Sequence, residues 1–212
     1  MGVGIAHAFA SSGHQVRLID VSSEQLGKAE KTIAGILADG VRLGKVDEGV
    51  AAAALAALTT SESVSDGAVG VDLLVETVSE NLAIKIDVVR KAEAVMAPTG
   101  LIATNTSALS VTEIAAACQD PTRVIGMHFF NPVQKMKLVE LVRGLATTDE
   151  AVALCRDYVA QLGKTAIVVN ETPGLTTSRM SAMAGNEAMW MLQEGAASAE
   201  DIDTALRMGF NH

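Results

Sequence analysis

The apolar positions change period several times along the chain, and each change marks an element. Residues 2–12 read as a small-residue helix ended by Gly13, and residues 15–20 (QVRLID) as a strand. Ser22 or Ser23 caps a long helix running to about residue 43, and an Ala-rich helix follows over 47–58. Residues 72–76 (DLLVE) are an apolar run of the kind buried in a parallel sheet. An amphipathic helix spans 81–96, with Leu82, Ile86 and Val89 on one stripe, and Pro98-Thr99-Gly100 ends it. A strand at 101–104 and a short helix capped by Ser110 come next. Residues 123–130 (RVIGMHFF) are again apolar and of strand length. Asn131-Pro132 breaks that run, and residues 137–142 alternate as a second strand. A helix from Thr148 or Asp149 to about residue 162 and a strand over 164–169 follow.

Alternation of this kind predicts an α/β fold, a doubly wound sheet with right-handed crossovers. Thr172-Pro173-Gly174 is the one clear boundary, dividing the chain into 1–171 and 172–212. After it the strands cease: residues 175–193 form a helix rich in Met and Ala, and Ser198 caps another through residue 207. Two helices bury too little to stand alone, so this part reads as the opening of a helical domain.

Composition narrows the class. Hydrophobic residues make up 49% and aromatics 3%, so the core is built from aliphatic side chains and methionine. A net charge of −9 argues against nucleic acid or an anionic membrane as partner. An anionic cofactor stays open, because helix N-termini bind phosphate locally. Cys118 and Cys155 are far apart, and His7, His14, His128 and His212 have no ligand spacing, so neither a disulfide framework nor a metal is expected. With no leader pattern and no apolar run long enough to span a bilayer, a soluble cytoplasmic protein is expected.

The candidate chemistry lies in the two strands around Asn131. If they fold back on each other, the midpoint is Gln134 and residue 128 faces residue 140. Glu140 shares its strand face with Leu138 and Val142, where an unpaired carboxylate is costly. An imidazole held by a buried carboxylate is suited to moving a proton near neutral pH. On spacing alone, a satisfied core histidine and a plain Asn-Pro turn remain open.

HFFNP at 128–132 followed by KLVE at 137–140, with Asn105-Thr106-Ser107 upstream, resembles the 3-hydroxyacyl-CoA dehydrogenase family, and the resemblance covers essentially the whole chain. It implies a Rossmann-type NAD-binding domain at 1–171 and the beginning of a helical substrate and dimerisation domain at 172–212. It also implies a (3S)-3-hydroxyacyl-CoA of the 3-hydroxybutyryl type as substrate. By the same resemblance His128 is the catalytic base, Glu140 holds and polarises it, and Ser107 hydrogen-bonds the substrate oxygen. Asn131 lies beside the nicotinamide, and Asn105 and Ser107 belong to the same cofactor-side motif. Asp20, ending a strand eighteen residues after Gly2, would bond the adenosine ribose and disfavour NADP. Gly2 would lie at the phosphate end of the first helix, and Glu80 and Lys85 beside the nicotinamide ribose. Arg42 and Lys45 fall roughly where the family binds CoA. In PGLTTSR, Ser178 stands where the family often has asparagine and Leu175 where it has phenylalanine, so Ser178 is a substrate-positioning candidate with a shorter reach.

The family opens with a strand and G-x-G-x-M-G, whereas this chain starts at that methionine and keeps the third glycine. On that ground a central strand is expected to be missing, leaving two unpaired edges. NAD binding by these 212 residues is then expected to be poor, and the family's homodimer to need more of the helical domain. Two rival readings stay open. One is a Rossmann dehydrogenase of a free hydroxy acid; the other is a catalytically silent or structural protein that keeps the fold.

Overall fold

The computed structural model describes residues 1–210; Asn211 and His212, the end of the segment where the helical domain is expected to continue, lie outside the described residues. In chain order the elements are α1 (Gly2–Ser11), β1 (Val16–Ile19), α2 (Ser23–Arg42), α3 (Glu48–Ala56), β2 (Leu58–Ser61), α4 (Val64–Gly67) and β3 (Leu73–Glu76). Then come α5 (Leu82–Glu93), β4 (Leu101–Thr104), α6 (Val111–Ala115), β5 (Val124–Phe129), β6 (Leu138–Arg143), α7 (Asp149–Gln161), β7 (Thr165–Asn170), α8 (Thr177–Gln193) and α9 (Ala199–Gly209).

Helix starts follow from capping. Ser22, Asp47, Asn81, Ser110, Thr148 and Ser198 each accept a hydrogen bond from a first-turn N–H, which satisfies a donor the helix leaves unpaired. One expectation needs correction at 47–58. The Ala-rich helix stops at Ala56, and Leu58–Ser61 is a strand, paired in parallel with β1 from Val16↔Leu58 to Ile19↔Ser61. The β-branched Thr59 and Thr60 suit a pleated strand, and a parallel partner distant in sequence supplies the ladder that a local reading cannot see. The last long helix likewise begins at Thr177, because Gly174 and Leu175 both take positive φ.

The strands form two sheets, β1-β2 and β3-β4-β5-β6-β7. The larger one is parallel except for the antiparallel β5–β6 pair. β1 and β3 share no ladder, and α1 bridges the two sheets. Its Ile5 and Phe9 pack into the core over the five-stranded sheet, with Ile125, Met127, Val139 and Leu141. Its Ala6 and Ala10 pack the other way, against Ile33 and Leu37 of α2 and Ala51 and Ala54 of α3. One helix thus buries two adjacent stripes against two cores. A third core, around Val89, Ile102 and Ile114, lies between α5, α6 and the sheet.

The chain divides after Glu171 into two compact units. The second holds α8 and α9, which pack on each other. No helix among the described residues is long and apolar enough to cross a membrane.

Gly126 lets β5 approach its neighbours closely. A Cβ there would lie 2.7 Å from Val142 Cβ and 3.0 Å from Val111 Cγ2. Gly126→Ala is therefore expected to destabilise the first unit by about 1–3 kcal/mol through overpacking. A urea titration checks this, and an unchanged midpoint would contradict the packing of β5 against β6 and α6.

Candidate active site

The β5–β6 register pairs His128 with Glu140 across the antiparallel ladder. His128 Nδ1 lies 2.7 Å from Glu140 Oε2, the glutamate side chain is wholly buried, and the imidazole is 11% exposed. A carboxylate only accepts, so Nδ1–H donates to it, and Nε2 keeps a lone pair free for a proton. The Phe130 ring lies against the imidazole, with centroids 4.6 Å apart.

The neighbouring loops leave the C-terminal ends of the parallel strands β3, β4 and β5, where open α/β sheets bind ligands. Asn105, just past β4, accepts the Phe129 N–H through Oδ1 at 2.9 Å and so ties its loop to the strand carrying His128. Ser107 is exposed two residues on, with its N–H donating to Glu80 Oε1 at 3.2 Å. Thr106 also donates its hydroxyl to Glu80, and turns the loop by accepting from the Ala108 and Leu109 N–H groups. Asn131 is exposed at the start of the loop between β5 and β6, and the Asn131–Pro132 peptide is cis.

That loop has an anchor which sequence reasoning passed over. Lys164 Nζ donates to the Val133 and Met136 carbonyls at 2.5 and 2.7 Å, and burial draws its pKa below the ordinary lysine value. A lysine just ahead of the last strand of the sheet gave no hint of this reach. Glu76 was likewise read only as a strand end. It is buried, and it binds the Val78 N–H, the Thr104 hydroxyl and the Lys85 ammonium. Lys85, expected beside the nicotinamide ribose, turns inward and is 0% exposed. The available signal was the stripe of α5, where Lys85 shares the buried face of Val89 and Ala92.

Whether NAD suits these residues can be tested on α1. Its N-cap, Met1, makes no side-chain bond, and no acidic residue lies in the first turn, which leaves the positive end of the helix available to an anion. A Cβ on Gly2 would come 2.9 Å from Thr77 Oγ1, and one on Gly4 2.9 Å from Val133 Cβ. The helix start therefore lies between the loops after β3 and β5, at the sheet edge of the His128 site. β1 runs back along α1, and Asp20, the residue after its end, is exposed, with Oδ1 accepting the Ser22 N–H at 2.9 Å. An uncapped helix end and an acid at a strand end fit a dinucleotide.

Arg42, Lys45 and Ser178 make none of the hydrogen bonds above. Arg42 is exposed and pairs with Asp39 at 2.8 Å on α2, and Lys45 is exposed just beyond it. Ser178 lies on α8, in the second unit.

The first 172 residues match the 3-hydroxyacyl-CoA dehydrogenase NAD binding domain, and residues 174–212 match the C-terminal domain of the same family. A probable 3-hydroxybutyryl-CoA dehydrogenase of Bacillus subtilis is 38% identical, with all of this chain aligned to 74% of that protein. The 3-hydroxybutyryl-CoA dehydrogenase of Bradyrhizobium diazoefficiens is 39% identical over the whole chain and 72% of its own length. The crystal structure of (S)-3-hydroxybutyryl-CoA dehydrogenase from Ralstonia eutropha superposes with a TM-score of 0.94 at 39% identity, covering all of this chain and 75% of that one.

Glu80 supplies a pH test. Burial alone would raise its pKa, but the Thr106 hydroxyl, the Lys85 ammonium and the Ser107 N–H together hold it below the ordinary 4.5. A carboxylate depressed in the fold adds stability that is full above 4.5 and is lost as pH falls through the folded value. The melting-temperature gap between wild type and Glu80→Gln should therefore be largest near neutral pH and close as the medium is acidified past that range. A gap constant across pH would contradict the network.

Proposed function

The chain belongs to the 3-hydroxyacyl-CoA dehydrogenase family, and we propose that it transfers hydride between NAD and C3 of a short (3S)-3-hydroxyacyl-CoA, of the 3-hydroxybutyryl type, giving the 3-oxoacyl thioester. The reading is carried by the buried His128–Glu140 contact at 2.7 Å, tied through Asn105 to the loop that presents Ser107.

His128 Nε2 takes the proton of the 3-hydroxyl as the C3 hydride departs, and returns it in the reverse direction. Glu140 keeps the ring in the tautomer that leaves Nε2 free, and stabilises the imidazolium once it forms. Ser107 donates a hydrogen bond to the substrate oxygen. NAD, when bound, supplies the hydride acceptor. Gly2 at the start of α1 leaves room for the phosphates, Asp20 bonds the adenosine ribose, and Glu80, Asn105 and Asn131 border the nicotinamide side. Arg42 and Lys45 are the basic groups available to the CoA phosphates.

We place the protein in the cytoplasm, a setting suited to its two free thiols. Burial pushes Cys155 up to about 12 and Cys118 up to about 11. A homodimer is proposed for the whole protein through the helical domain that α8 and α9 begin, and Met180, Met183, Met189 and Trp190 of α8 are the exposed apolar groups these helices would bring to it.

Two measurements check the mechanism. In the whole protein, His128→Gln should lower kcat by about 10²–10⁴ while NAD affinity by calorimetry stays near wild type; near-normal turnover would remove His128 as the base. Initial rates at equal cofactor concentration should favour NAD over NADP, and acyl-CoA over the free hydroxy acid. An NADP preference would mean that Asp20 does not face the ribose.

A further inference from the structure

Among the described residues, Glu76 and Lys85 form an ion pair with both side chains 0% exposed. Stability is a weak reason for such a pair. Desolvating two charges offsets most of their attraction, and apolar residues of the same volume usually hold a core as well. What distinguishes this pair is the set of groups it binds. Lys85 Nζ donates to both Glu76 oxygens at 3.0 Å and to the Asn105 carbonyl at 3.2 Å, and it lies 3.5 Å from Glu80 Oε2. Glu76 in turn accepts the Val78 N–H at 2.6 Å and the Thr104 hydroxyl at 2.7 Å.

Two chains of contact lead outward from the ammonium. Through Asn105 it reaches the Phe129 N–H, the peptide next to His128. Through Glu80 it reaches the Ser107 N–H. We infer that Glu76 is a positioning residue: it fixes the Lys85 ammonium, which sets the loops after β3 and β4 and hence the distance between the proton acceptor His128 and the substrate-binding Ser107. The inference rests on the dehydrogenase reading above. It gives a lysine that is buried in this structure a part in catalysis through geometry. An apolar pair would fill the same volume but leave the Asn105 carbonyl and Glu80 without their shared donor.

The test compares wild type, the double variant Glu76→Leu/Lys85→Met, and Thr104→Val, which removes one hydroxyl from Glu76. Melting temperature, kcat, KM for the acyl-CoA and the primary deuterium isotope effect at C3 are read for each. The double variant should fold but melt below wild type, since the Val78 N–H, the Thr104 hydroxyl and the Asn105 carbonyl lose these partners, and should lose about 10-fold or more in kcat well below its melting temperature, as expected for a sub-ångström to ångström misplacement of reacting groups. Its KM should change little and its isotope effect should rise, because hydride transfer becomes the slow step. Thr104→Val should shift kcat and the isotope effect in the same direction by a smaller factor, and it decides the matter alone if the double variant does not fold. A folded double variant that keeps its kcat overturns the inference whatever its melting temperature, as does a fully active Thr104→Val. Loss appearing in KM with an unchanged isotope effect overturns it too, since that is a defect of binding. All three are assayed in the whole protein, where an inactive wild type would instead remove the dehydrogenase reading and this inference with it.

Discussion

A carboxylate withdrawn from water must be given a partner, and two of them set the geometry of this site. Glu140 on β6 and Glu76 at the end of β3 are both buried in the five-stranded sheet. Glu140 meets an imidazole across the antiparallel β5–β6 ladder, and Glu76 meets an ammonium from α5. Each pairing restrains the elements that supply it. A one-residue slip of β6 would turn Glu140 to the opposite face and leave the imidazole and the carboxylate apart. The register that buries Val139 and Leu141 is thus the register that brings His128 to Glu140.

The remaining architecture brings loops to those pairs. Three parallel strands deliver residues 77–81, 105–110 and 130–137 to one edge of the sheet, and α1 starts at that edge between Thr77 and Val133. Lys164 secures one of these loops and the Glu76–Lys85 pair secures the other two. α1 itself spans two cores, so the helix end suited to an anion is held on both sides by aliphatic packing.

Much of this was legible in the chain. The strand pair around Asn131 could be registered by its midpoint because strand period and turn position leave little freedom, and the His128–Glu140 contact followed from it. Capping residues such as Ser22, Ser110 and Thr148 marked helix starts because their chemistry is local. What escaped depends on groups distant in sequence. The strand at Leu58–Ser61 exists because β1 offers it a parallel edge. Lys85, expected beside the nicotinamide ribose, turns inward because Glu76, nine residues back, offers it a buried partner. Lys164 reaches carbonyls about thirty residues away, and no periodicity encodes that.

The central claim is that Glu140 fixes the protonation geometry of His128, leaving Nε2 as the acceptor. Nitrogen-15 NMR of the imidazole in the resting protein at neutral pH measures this directly. For the neutral form of the ring the account predicts a hydrogen on Nδ1 and a bare Nε2, and loss of that pattern in Glu140→Gln. A ring with its hydrogen on Nε2 and an unprotonated Nδ1 would contradict it.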